Sequence, residues 1–227
     1  MPAHHLSDEI LMAYAAGSLP EPLSLVVVSH VTLCPACRAQ METYEALGGS
    51  LIEEIAPVGL PDSALSDIFA RLDDEASGPG EADPWGRAPA RTPADHRSVD
   101  GSVPRPLRDY LGQDLSALNW RSVIRGVEEA EIALDGGEVR TRLMRIQPGV
   151  AVPKHTHGGE EVTLVLTGGY SDAGGHYARG DVQVADPTVD HQPVADPGEP
   201  CLCLVISDAP LKLTGPIGRW LNPFITY

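Results

Sequence analysis

The chain has 227 residues, of which 42% are hydrophobic and only 5% aromatic, and 16 basic against 32 acidic side chains give a formal charge of −16. That length suits one large domain or two modest ones, with aliphatic side chains filling most of the core. The charge, with no basic cluster anywhere, argues against direct binding to nucleic acid or to an anionic membrane and favours a basic protein surface as partner.

The start, Met1-Pro-Ala-His4-His5-Leu-Ser7-Asp8-Glu9, lacks the basic and long apolar regions of a targeting signal. No strongly apolar run, Leu25 to Val28 and Cys201 to Ile206 included, is long enough to span a bilayer. A cytoplasmic protein without membrane contact is expected. Ser7 caps a predicted helix carrying Ile10, Leu11 and Tyr14, ended by Gly17. Pro22 suits a first helical turn, so Leu23 to Thr32 reads as a second helix, although Val26-Val27-Val28 also fits a strand. Ala36 to Leu47 is predicted as a third helix, stopped at Gly48-Gly49. Ser63 is placed to cap a fourth, where Leu65, Ile68, Phe69 and Leu72 recur at helical spacing. Residues 1–76 hold 12 acidic and two basic side chains, a net charge of −10. A domain of that size gains from a structural metal.

The same stretch offers ligands. His30 stands four residues before Cys34, and Cys34 three before Cys37, spacings that bring side chains to one side of a helical junction. Two thiolates and two imidazoles make a closed tetrahedral set for zinc, with His5 or His4 as the fourth ligand. Cys34-Pro-Ala-Cys37 also fits a redox dithiol at a helix start, or two inert cysteines. No βαβ unit surrounds it, and metal binding is the stronger reading.

Residues 77–105 carry five prolines and balanced charge, and read as a flexible linker, or as an ordered recognition segment around Trp85. From Pro106 the texture becomes strands: Ala130 to Leu134, Val139 to Ile146, Val162 to Leu166, Val182 to Val184 and Cys201 to Ile206. Gly136-Gly137, Gly168-Gly169 and Gly174-Gly175 punctuate them as turns, the pattern of an antiparallel barrel or sandwich.

Within that region, Gly149-x5-His155-x-His157-x3-Glu161-x6-Gly168 fits the first cupin motif without a gap. His155 and His157 share a face of an extended strand. Glu161 follows a glycine turn, and His191 would complete a three-histidine, one-glutamate shell for zinc or another divalent transition metal. The second cupin motif is less regular, with His191 eleven positions after Gly180. Satisfied polar histidines are the plainer alternative. Glu160 and His176 read as supporting or surface groups, and Cys201 and Cys203 as core residues or oxidisable thiols near the pocket. The predicted fold is therefore α + β in two domains. A zinc-binding helical bundle (1–76) and a cupin β-barrel (106–227) flank the linker (77–105).

With His5, His30-x3-Cys34-x2-Cys37, the Leu11-Met-Ala-Tyr-Ala-Ala-Gly17 helix and the later barrel, the chain resembles the ChrR family of anti-sigma factors. The resemblance implies His5 as the N-terminal histidine ligand and supports Asp190-His191 as carrying the barrel's last histidine. It implies an extracytoplasmic-function sigma factor as partner, held away from core RNA polymerase by the helical domain. It implies a barrel needed for the response to oxidative, commonly photo-oxidative, signals. The alternative is a dioxygenase-like cupin metalloenzyme with a helical oligomerisation domain.

Overall fold

The computed structural model describes residues 1–75, 101, 103–134, 139–216 and 222. The expected linker lies almost wholly outside the described residues, as does the turn at Gly136-Gly137. The chain forms two compact units, Met1–Gly48 with Val99–Tyr227, and Gly49–Ser98.

Helix α1 (Asp8–Ala15) starts where Ser7 Oγ accepts the N–H of Ile10, and Gly17 follows its end at φ +67°. Helix α2 (Glu21–Leu33) has Pro22 in its first turn and ends at Cys34. Its Val26 and Val27 are fully buried, so packing decides the β-branched run in favour of helix. Helix α3 (Pro35–Glu53) runs through Gly48 and Gly49, where a stop was expected. Neither glycine has positive φ. A glycine costs a helix about 1 kcal/mol against alanine, which weakens but does not end it. Helix α4 (Ala64–Glu75) belongs to the second unit, and α5 (Arg105–Leu111) to the first.

Eleven strands follow among the described residues: β1 (Arg121–Ile124), β2 (Val127–Glu131), β3 (Arg140–Ile146), β4 (His155–His157), β5 (Glu161–Thr167), β6 (Gly169–Asp172), β7 (Gly175–Ala178), β8 (Val182–Ala185), β9 (Val194–Ala195), β10 (Cys201–Ser207) and β11 (Leu211–Leu213). They form three antiparallel sheets, ordered β1-β2-β3-β10-β5-β8, β7-β6-β9 and β11-β4. Among the described residues no sheet closes on itself, so the expected barrel is here a cupin-like set of open sheets. Strands β4, β9 and β11 have only two or three residues, and single bridges such as Ala151 to Val194 and His155 to His191 join the rims.

Register decides the two faces of the large sheet. Leu143, Leu204, Leu164 and Val182 lie in one row across β3, β10, β5 and β8. Together with Leu202 and Ile206 they pack in one buried cluster that also holds Leu11, Leu25, Val26, Val27, Val31 and Leu107. The alternate residues Cys201, Cys203 and Val205 join Val165, Tyr170 and Tyr177 in a second cluster on the opposite face. The N-terminal helices and the sheet therefore share a core. Replacing Leu25 with alanine should cost about 2–5 kcal/mol. Far-UV and near-UV signals should then melt together at a lower temperature, whereas two separate transitions would contradict the shared core.

Among the described residues no single helix is long and apolar enough to cross a membrane. Helices α2 and α3 reach that composition only when taken together across a 119° bend, and the apolar residues of α2 are largely buried.

Candidate metal centres

The bend between α2 and α3 builds the first centre. His30 lies on the last turn of α2, Cys34 at its C-terminal cap and Cys37 on the first turn of α3. His5 arrives from the segment before α1. The ligand atoms of His5, His30, Cys34 and Cys37 all lie within 4.8 Å of one another. His5 Nδ1 stands 3.3 Å from Cys34 Sγ and 3.5 Å from Cys37 Sγ. Bonds of about 2.3 Å to sulfur and about 2.0–2.1 Å to nitrogen in a tetrahedral shell give ligand separations of about that size. His30 Nδ1 donates to Gly180 O at 2.8 Å, which leaves Nε2 as the lone-pair nitrogen. That Nε2 is buried and has no hydrogen-bond partner, as a metal-facing nitrogen would be. The donor set fits a soft divalent ion. Burial is the main reason the His30 pKa falls, so the imidazole is neutral at pH 7. Burial and then the neighbouring Cys34 push the Cys37 thiol up to about 11, so a metal binding there would displace its proton. His4 points elsewhere: its Nε2 is 3.1 Å from His176 O.

The second centre joins β4 to the loop before β9. His155 and His157 project from the same face of β4, and the backbone of His155 bridges to that of His191. The three imidazoles are buried, with His191 Nε2 at 3.1 Å from His157 Nε2 and 3.2 Å from His155 Nε2. Nitrogens bound at about 2.0–2.1 Å to one ion sit about 3.3 Å apart. His155 Nδ1 donates to Pro153 O at 2.7 Å, and His191 Nδ1 donates to Asp172 Oδ2 at 2.6 Å, so both Nε2 atoms turn inward. Burial is the first cause lowering the pKa of both His155 and His157, which keeps their lone pairs available at neutral pH.

Asp172 is the group the sequence did not announce. Before Gly174-Gly175 it reads as a turn former, and its Oδ1 does accept the Gly174 N–H at 2.8 Å. Its other oxygen orients His191 and also accepts Gln183 Nε2 at 2.8 Å. Burial opposes its charge, but these hydrogen bonds outweigh that and lower its pKa. A carboxylate behind a ligating imidazole typically raises metal affinity 10–100-fold.

Glu161 stands apart from the three histidines. It lies at the start of β5 on the wall of the same cavity, of about 50 Å³, as His155 and His191. Its Oε2 accepts Arg142 Nη2 at 3.0 Å, while Arg142 Nη1 donates to Ser207 Oγ at 2.9 Å. Glu161 is not within the group of ligand atoms spaced under 4.8 Å. Cys203 also lines this cavity, with its Sγ 3.5 Å from Cys201 Sγ, and both are buried free thiols. The side chain of His176 is instead paired with Asp196 at 2.7 Å.

Comparison with known proteins follows this division. A family model described as the ChrR Cupin-like domain matches residues 110–209. The anti-sigma-E factor ChrR of Cereibacter sphaeroides is 43% identical over 221 residues, which is 97% of each chain. A crystal structure of Rhodobacter sphaeroides SigE in complex with the anti-sigma ChrR contains a chain 40% identical to this one. The two superpose with a TM-score of 0.75 over 92% of this chain and 100% of that one.

Proposed function

Because this chain belongs to the ChrR family of anti-sigma factors, we propose that its helical region sequesters an extracytoplasmic-function sigma factor and that its cupin-like region governs release on an oxidative or photo-oxidative signal. The observation that carries this reading is a match spanning 97% of both chains, across the helices and the sheets alike. The protein is a regulator, not a stand-alone enzyme, and acts in the cytoplasm with the transcription machinery.

His5, His30, Cys34 and Cys37 are the zinc ligands of the helical region in this reading. Two thiolates and two imidazoles fill a tetrahedral shell and leave no open position, which suits a structural role. His155, His157 and His191 hold zinc or another divalent transition metal in the cupin-like region. Glu161, on the same cavity, completes that shell when it turns from Arg142. Pro153 O and Asp172 fix the orientation of His155 and His191, and the metal when bound would supply Lewis acidity there.

The capture surface includes the second unit. Leu65, Ile68, Phe69 and Leu72 on α4 are 65%, 54%, 58% and 55% exposed, too much apolar area for one helix to leave in water without a partner. Leu51, Ile52, Ile55 and Leu60 before it are exposed as well. Acidic neighbours on the sequence, such as Asp62 and Asp67, supply a rim that attracts a basic partner.

Co-expression with the extracytoplasmic-function sigma factor of the same genome should yield a one-to-one complex on purification. The His155→Ala variant should still form it, because all four helical ligands are intact. A sigma-dependent reporter should then stay at its uninduced level when the oxidant is added. No complex with wild type would sink the capture reading. Normal induction of the variant would remove the cupin-like metal from the response.

A further inference from the structure

One imidazole of the helical cluster, and the segment that delivers the other, are held by one turn of the cupin-like region. The turn is Ala178–Asp181, between β7 and β8. His30 Nδ1 donates to Gly180 O at 2.8 Å, across 150 residues of sequence. Asp181 Oδ1 accepts the backbone N–H of Ala3 and, at 2.9 Å, that of His4. Val182 N donates to His4 O at 3.3 Å, and the His4 ring packs on Tyr177 with centroids 4.4 Å apart. Residues 2–4 therefore lie as a strap along the turn, and the next residue is His5. The two thiolates, by contrast, are set by the junction of α2 and α3.

The turn is itself fixed. Gly180 N donates to Val165 O at 2.8 Å, Val165 N donates to Asp181 O at 3.0 Å, and Asp181 Oδ2 accepts Ala178 N at 2.8 Å. Gly180 has φ +93°, and a Cβ there would stand 2.7 Å from Pro2 Cγ, so the strap and the turn are in close contact.

We propose that Gly180 and Asp181 are positioning residues of the helical metal centre, so that the cupin-like region sets that centre's affinity through its two imidazole ligands. The inference rests on reading the cluster as a metal site. Gly180 O selects the His30 tautomer whose Nε2 carries the lone pair, as outer partners of ligating histidines do. Asp181 holds the strap in place before the metal arrives, so less ordering accompanies binding at His5.

The same turn reaches the second centre. It runs into β8, where Gln183 donates to the Asp172 oxygen that also accepts His191 Nδ1. A change at His191 that shifts β8 would reach the His30 partner and the strap before His5 through this turn. Coupling of this kind is reciprocal, so metal in either centre changes affinity at the other by the same factor.

Cobalt(II) titration of the full chain tests the proposal, because thiolate-to-cobalt absorption reports the helical centre, the ligand set that contains cysteines. Asp181→Ala should lower cobalt affinity there about 10–100-fold. Asp181→Asn keeps an acceptor oxygen and should recover most of the loss. A chain starting with Met directly before His4 lacks residues 1–3 but keeps the turn, and it should lose affinity in the same direction. A merely structural role would lower the melting temperature and leave affinity unchanged in the folded protein. Affinity within about twofold of wild type in folded Asp181→Ala, or in the shortened chain, would overturn the inference. Absence of the thiolate band in wild type would sink the metal reading itself, and the inference with it.

Discussion

Replacing Cys34 or Cys37 with serine should reduce affinity for the sigma factor by about a thousandfold or more, and prolonged chelation should do the same to the wild type. Cys34 and Cys37 flank the 119° bend between α2 and α3, each within 3.5 Å of His5 Nδ1. Loss of one thiolate leaves three ligands for an ion whose binding to structural Cys/His sites contributes about 10–16 kcal/mol. Only about 4 kcal/mol of that need be lost for a thousandfold effect. Helix α2 should persist in the variant, because Leu25, Val26 and Val27 stay in the core shared with the sheet. The change should therefore be a small fall in far-UV ellipticity beside a large fall in binding. Calorimetric titration of zinc-loaded and stripped protein into the sigma factor reads the second directly. Full affinity without metal would show that the cluster does not support capture.

Replacing Phe69 with aspartate should weaken the complex about a hundredfold while leaving the melting temperature of the free protein within a degree or two. Large apolar side chains at the centre of an interface carry most of its energy. Phe69 is 58% exposed, so the free protein loses little packing when it changes. The same substitution at a buried site such as Leu204 would instead unfold the chain. The effect should appear mainly in the dissociation rate. Exchanging Asp62 or Asp67 for asparagine should act on the association rate, and less so at high salt. Unchanged binding by Phe69→Asp would move the capture surface elsewhere.

Local signals in the sequence were legible where the physics is local. Ser7 caps α1 as expected, β10 carries the predicted run, and His30, Cys34 and Cys37 come together as their spacings of four and three residues predict, while His5 over His4 came from the family resemblance. His155 and His157 face one way because a strand has period two. What was not legible depends on distant partners. Nothing around Glu161 announces that Arg142, on another strand, will take its carboxylate. Asp172 looks like a turn residue because it is one, and only the fold shows its second oxygen on His191. The glycines of α3 look like a stop, but a glycine ends a helix where the backbone turns left-handed, and neither does so here. The shared core did leave a trace. Helix α2 is apolar nearly all round, and such a helix needs cover on more than one side. Its β-branched run fits strand or helix by local propensity, and neither reading shows the sheet that covers it.

In the proposed function an acidic, metal-held helical region captures a sigma factor. In vitro transcription from a promoter that needs the cognate extracytoplasmic-function sigma factor tests it most directly, with purified core polymerase and zinc-loaded full-length protein added in steps. Transcripts should fall to background near one equivalent of protein per sigma factor, and Phe69→Asp and Cys34→Ser proteins should leave transcription largely intact at the same ratio. Undiminished transcription at several equivalents of folded, zinc-loaded wild type would contradict it.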